Sequence, residues 1–222
     1  MTNIYESDVF SRLPDHSMHP GGLRLTDRAV RLADIAKGMA VADIGCGAGS
    51  TAAFLTDKYG FKMVGLEISE PLIQIGLKNC PGLHFIRWDC KTLPFEPASL
   101  DAVLFECSLS VIGYSGKTLD ECATALKPNG TLIMSDLLAK KSTGKPSALP
   151  ALSELEKRLK ASGFEVVVSE DHTPALITYA AQLTEQFGKP FDPSLFFGTQ
   201  LANGFKLSEH CYHLLIARNI KT

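Results

Sequence analysis

The sequence predicts an α/β fold built on a mostly parallel sheet with helices on both faces. Three observations carry this. Short apolar runs alternate with helix-patterned segments from residue 39 onward. A glycine cluster, Gly45-Cys46-Gly47-Ala48-Gly49, directly follows the first of those runs. The runs are apolar almost throughout, as strands covered on both faces are.

The elements follow in order. Residues 39–44 (MAVADI) read as a buried strand, and 49–58 as a helix. Residues 62–68 (KMVGLEI) are a second strand and 70–79 a second helix. His84 to Arg87, Ala102 to Glu106 and Thr131 to Ser135 are the third, fourth and fifth strands. The helix before the fifth strand is expected to start at a T-x-x-E capping box, Thr118 and Glu121, and to stop at Pro128-Asn129-Gly130. A second such box, Ser153 and Glu156, opens a helix that Gly163 ends. Glu165 to Glu170 is a sixth strand and Tyr212 to Ala217 a seventh. A helix-like segment from about Arg24 to Ala36 precedes the first strand.

The 222 residues suit one large domain. Its parts are an arm or lid (1–38), a core (39–170), an insertion or cap (171–209) and a last strand (210–222). Hydrophobic residues at 45% and a mean hydropathy of +0.07 exclude a disordered chain. With 22 basic against 24 acidic residues there is no basic excess for a nucleic-acid partner. The first residues, MTNIYESD, lack a secretory pattern, and no uncharged apolar run nears the roughly 18 residues of a membrane helix. A cytoplasmic protein without a membrane partner is expected. The six cysteines form no C-x-x-C pair and read as reduced thiols; no metal site is expected.

In a parallel sheet, ligands bind outside the carboxyl ends of the strands. Glycines after the first strand let a ligand approach the backbone. Glu67 ends the second strand, 22 residues after Gly45, where a carboxylate accepts from ribose hydroxyls. Asp89 follows the third strand at the same interval, placed to accept from an adenine amino group. Asp43 would face a cationic part of the ligand. The spacing G-x-G-x-G with Ser50 departs from the dinucleotide fingerprint, and no triphosphate loop occurs. A nucleoside carrying ammonium and sulfonium groups suits these acids.

The stretches VADIGCGAGSTAAFL, VGLEIS, RWDCKTLPFEPASLDAVLFECSLS and LKPNGTLIMSDL together resemble the class I S-adenosylmethionine-dependent methyltransferases. The resemblance covers about residues 39–138, and is greatest to small-molecule enzymes of the quinone-biosynthesis and arsenite-methylating kind. It implies a Rossmann-like, doubly wound, seven-stranded sheet, with the last strand antiparallel between the fifth and sixth. It implies S-adenosylmethionine as cofactor and a small-molecule acceptor. Asp43, Gly45, Cys46, Gly47 and Gly49 would be the methionine-end and turn contacts. Glu67 would hold the ribose, Ile68 line the adenine, and Asp89, with the Cys90 backbone, bind its amino group. Glu106 and Cys107 would flank the transferred methyl.

Methyl transfer from sulfonium is a direct displacement that chiefly needs alignment. Base candidates are Glu106, Asp136, His16, His19 and His172, and Glu106 or Tyr114 would orient the acceptor. Glu106, Cys107 and Tyr114 are thus the candidate catalytic set. The N/D-P-P-Y/F motif of amino-methylating relatives is replaced by Phe105-Glu106-Cys107-Ser108-Leu109, which points away from nucleobase and amide acceptors. Cys107 opens an alternative, a metalloid acceptor held by thiolate. Two other classes stay open: a non-catalytic S-adenosylmethionine-binding module and an NAD(P)-dependent oxidoreductase. Residues 1–23 are expected to fold over the cofactor as a lid. Tyr179, Phe187, Phe191, Phe196, Phe197 and Phe205 of the insertion are expected to roof the acceptor pocket.

Overall fold

The computed structural model describes residues 18–141, 149–187 and 206–221. Among them are seven strands: β1 (Ala40–Ile44), β2 (Lys62–Glu67), β3 (His84–Arg87), β4 (Leu100–Glu106), β5 (Leu126–Ala139), β6 (Phe164–Asp171) and β7 (His210–Asn219). The helices are α1 (Gly22–Ala33), α2 (Ser50–Tyr59), α3 (Glu70–Asn79), α4 (Leu109–Ile112), α5 (Gly116–Ala125), α6 (Leu152–Ala161) and α7 (Thr173–Phe187). They form one sheet in the order β3-β2-β1-β4-β5-β7-β6. Neighbours from β3 to β5 are parallel, and β7 runs antiparallel to both β5 and β6. No helix of the described residues is long and apolar enough to cross a membrane.

This order follows from connection rules. From β1 the chain steps outward to β2 and β3; from β4 it steps the other way, to β5. Right-handed crossovers then place α2 and α3 on one face and α5 on the other. The winding reverses between β1 and β4, so a crevice opens at their carboxyl ends, beside Asp43 and Glu106. The core is built from strand residues such as Ile44, Leu66, Leu104, Phe105, Ile133 and Tyr212, all almost fully buried.

The strand and helix assignments hold, while both capping boxes are corrected. At α5 the N-cap is Ser115, whose side chain accepts from the Thr118 amide; Thr118 lies inside the helix and Glu121 accepts from the Leu93 amide. At α6 the N-cap is Ala151, and Glu154 rather than Glu156 reaches back to its amide at 3.2 Å. α5 also ends before Pro128-Asn129-Gly130. Leu126 already pairs with Leu100, and the ladder shifts register before Thr131 meets Ala102.

The C-terminal end of α5 is tied by a residue far along the chain. The buried Asn219 amide donates to the carbonyls of Ala123 (2.9 Å), Leu126 (3.2 Å) and Lys127 (3.3 Å). Carbonyls at a helix end lack intrahelical partners and need such donors. Asn219→Ala is expected to cost about 1–2 kcal/mol, the penalty of buried acceptors left without donors. Urea denaturation would show it, and an unchanged midpoint would contradict it.

Two regions left without detailed elements gain structure. α7 fills 173–187 of the insertion; its Leu176, Tyr179 and Leu183 belong to the main core, and it packs on β7. Tyr179 is therefore a core residue rather than a pocket roof. Phe191, Phe196, Phe197 and Phe205 lie outside the described residues, as does the Phe187 side chain. Of the arm, residues 1–17, with His16, lie outside the described residues.

Candidate functional site

The glycine loop is fixed to the sheet from two sides. The amides of Gly45 and Cys46 both donate to the Leu66 carbonyl, at 2.8 and 3.0 Å. Glu67, at the end of β2, accepts from the Gly47 amide at 2.9 Å and from the Ile68 and Ser69 amides at 2.8 Å each. Gly47 has φ +55, and the terminal methyl of Met18 lies where a Cβ would project. Any side chain there would be strained in backbone, and the Met18 methyl would have to swing aside. At the far end of the loop, α2 carries no side-chain cap.

Close packing also holds the loop from behind. A Cβ on Gly76 of α3 would collide with the Phe85 ring and come within 2.9 Å of the Ala48 carbonyl oxygen. Glycine inside a helix ordinarily costs about 1 kcal/mol relative to alanine. Here the sign reverses. Gly76→Ala is expected to destabilise by about 1–2 kcal/mol, because a backbone oxygen cannot step aside as a flexible side chain can. A melting temperature above that of the native protein would refute this.

Glu106 is the hub of the crevice. Its Oε1 accepts from the Thr26 hydroxyl of α1 at 2.6 Å, and its Oε2 from the Thr51 hydroxyl of α2 at 2.7 Å. His19 Nε2 stands 3.1 Å from Oε2, both side chains being buried. Burial raises the Glu106 carboxyl, but the nearby His19 charge and the bonds from Thr26 and Thr51 outweigh it and hold the group below the ordinary glutamate range. Burial lowers His19, and Glu106 outweighs that in turn, so the imidazole is raised above its ordinary value. Both shifts favour the charged forms, so the two groups make an ion pair whenever His19 is protonated.

Asp43 stands beside them, buried at the end of β1. Burial, with Glu106 alongside, pushes its carboxyl well above the usual range. A small cavity of about 40 Å³ lies between these groups, lined by Met18, His19, Asp43, Gly45, Cys46, Gly47, Ser50, Thr51 and Glu106. Six expected site residues therefore converge: Asp43, Gly45, Cys46, Gly47 and Glu106 on the cavity, and Glu67 on the amide of Gly47. The donor set suits a cationic nucleoside ligand. Two acids face the cavity, and a third sits on the loop that a ribose would follow.

Other expected residues lie apart from it. Ile68 follows β2 and is 56% exposed, an apolar side chain open to a planar ligand. Asp89 lies two residues past β3 with its side chain 60% exposed and paired to Lys91 at 2.8 Å. Cys90, also exposed, has φ +62. Cys107 has φ +54 and its thiol points at the Tyr212 hydroxyl, 3.5 Å away. Burial, reinforced by Asp136, pushes that thiol well above its ordinary value, so thiolate is disfavoured. The buried Tyr114 hydroxyl donates to the Leu137 carbonyl at 2.8 Å, outside the cavity. Asp136 accepts from the Ser110 and Leu137 amides and so fixes α4; burial raises it to about 6. His172 pairs with Glu170. Among the described residues, no group of three or more His, Cys, Asp or Glu side chains could hold a metal ion.

Thr26 and Thr51 escaped the sequence reading. A threonine inside a helix carries no local mark of a buried partner 55 or 80 positions away.

Residues 42–134 match the family described as methyltransferase domain. Phosphoethanolamine N-methyltransferase 1 of Zea mays is 27% identical over 197 residues, covering 82% of this chain and 39% of the maize protein. The chain thus spans well under half the length of that relative. Among solved structures, Haemonchus contortus phosphoethanolamine N-methyltransferase 2 in complex with S-adenosyl-L-methionine superposes with a TM-score of 0.77 at 19% identity, covering 99% of this chain and 57% of that one. The [4+2]-cyclase SpnF superposes with a TM-score of 0.75 at 21% identity, covering 88% and 80%. The fold is the Rossmann-like fold of the methyltransferases.

Proposed function

We propose that this chain binds S-adenosylmethionine and transfers its methyl group to a small-molecule acceptor. The observation that carries the reading is the convergence of Asp43, the glycine loop, Glu67 and Glu106 at the switch point of the sheet, within the segment matched to the methyltransferase domain. The cofactor supplies an activated methyl on sulfur, and the protein supplies alignment. Glu67 takes the ribose hydroxyls, Ile68 walls the adenine, and Asp89 with the Cys90 backbone meets the adenine amino group at the rim. Asp43 and Glu106 receive the cationic methionine end. The chain acts as one domain, in the cytoplasm, on neither nucleic acid nor membrane.

The raised Cys107 thiol, engaged with Tyr212, speaks against a metalloid acceptor, which requires thiolate. Acceptors of the phosphobase and quinol classes remain the first to try. Because the fold is shared with a cyclase, the test begins with the cofactor. Calorimetry is expected to show S-adenosylmethionine binding, with NAD and ATP far weaker. Tight NAD binding without S-adenosylmethionine binding would overturn the reading. Transfer of labelled methyl to an acceptor separates an enzyme from a binding module.

A further inference from the structure

The segment entering α1 reaches into the crevice. Met18 packs on Gly47, and His19 lies in the wall between Asp43 and Glu106. The imidazole is buried, with Nδ1 3.3 Å from the Pro20 carbonyl and Nε2 3.1 Å from Glu106. The enclosed space left is about 40 Å³, room for about three waters, in a cleft open on one side. The methionine end of a nucleoside cofactor does not fit there beside His19. It also brings a positive charge to the carboxylate that His19 already neutralises.

We infer that His19 is an internal cation competing with the cofactor for Glu106, so that cofactor binding expels the imidazole from the crevice and releases its proton to solvent. This rests on the cofactor reading above and adds a regulation to it. Among the described residues, the acids facing His19 act the same way: Glu106 from β4 and Asp43 from β1 both favour the imidazolium. Thr26 of α1 and Thr51 of α2 present only hydroxyls, and these are spent on Glu106. A buried carboxylate needs a compensating cation. Either the protein's own imidazolium or the cofactor's charge meets that need, and the crevice has no room for both.

The linkage has a definite sign. In the crevice the His19 pKa is above its ordinary value of 6.5; expelled into water, the ring returns to about that value. Between the two values the ring is protonated in the crevice and neutral in water, so binding releases a proton. Above the raised value no proton is present to release, and below 6.5 the ring stays charged in both places. Affinity for the cofactor therefore rises with pH through that window, by up to about tenfold per pH unit, and then levels off.

The test is titration calorimetry of S-adenosylmethionine into the whole protein, in phosphate and in Tris, whose ionisation heats differ. It is repeated across pH 6 to 9 for the native protein and His19→Gln. The native protein should release close to one proton per site inside the window. His19→Gln should release close to one proton fewer than the native protein, any release left coming from the raised Asp43 carboxyl, and its affinity should rise less steeply with pH. Equal proton release in both proteins, or binding by the native protein without release at any pH, would overturn the competition while leaving cofactor binding intact. Absence of binding heat in both proteins would overturn the cofactor reading itself. Should His19→Gln fold poorly, His19→Asn takes its place in the same comparison with the native protein.

Discussion

Glu106→Ala should be the most damaging single substitution near the site. Four parts of the chain meet on that carboxylate: the segment at His19, α1 through Thr26, α2 through Thr51, and β4 itself. Removing it strands a buried imidazolium and two hydroxyls. Breaking a buried ion pair from one side costs about 3–5 kcal/mol, because the surviving charge loses its partner without regaining water. Urea denaturation near pH 6 would measure this. The loss should depend on pH. Glu106 is held below its ordinary 4.5, so its contribution is complete above that value and is lost as pH falls through the depressed one. His19 is raised above 6.5, so its contribution is complete below that value and is lost as pH rises through the raised one. The pair is therefore worth most between about pH 4.5 and 6.5, and the deficit of Glu106→Ala should shrink by pH 9. Adding His19→Ala to Glu106→Ala should cost far less than His19→Ala alone, since the partner is already gone. Additive costs would show that the two groups do not interact.

The second large effect is expected at Glu67. Its carboxylate gathers three backbone amides, those of Gly47, Ile68 and Ser69. Two of these lie at the end of β2 and one on the glycine loop, so the side chain joins the ribose position to the loop. Glu67→Ala should weaken S-adenosylmethionine binding by about 1.5–3 kcal/mol, the range for a lost hydrogen bond to a charged group. Calorimetry measures it directly. Hydrogen exchange at the Gly47 amide should also quicken, because its acceptor is removed. Undiminished affinity with a protected Gly47 amide would refute both roles.

How far the sequence disclosed the fold depends on the reach of each interaction. α3 and β3 were bounded to the residue, since Ser69-Glu70-Pro71 and the run His84 to Arg87 carry their own punctuation. The two helix starts at Ser115 and Ala151 were misplaced. In each case a nearby S/T-x-x-E pattern matched the rule, while another local bond, to the Ser115 hydroxyl or to the Glu154 carboxylate, sets the start. α4 has four residues, too few for any periodicity, and is held by Asp136 from β5. In the site, the acids and glycines were visible because strand ends converge by topology. The threonine pair on Glu106, the placement of His19, and the burial of Tyr114 against the Leu137 carbonyl depend on how helices settle on the sheet. No spacing along the chain encodes that.

The insertion of β7 between β5 and β6 bears on how the molecule is made. Among the described residues, β6 has only β7 as its neighbour in the sheet. During synthesis β6 emerges first, yet it can pair with nothing until residues 210–219 have followed. At ribosomal speeds of about 5–20 residues per second, the intervening stretch takes about 2–8 s. For that interval the nascent chain presents β5 with one open edge and β6 as an unpaired strand. An arrest at any codon before 210 would leave the parallel half of the sheet formed and these edges bare. Chaperone contacts on a stalled nascent chain should therefore peak between the emergence of β6 and that of β7.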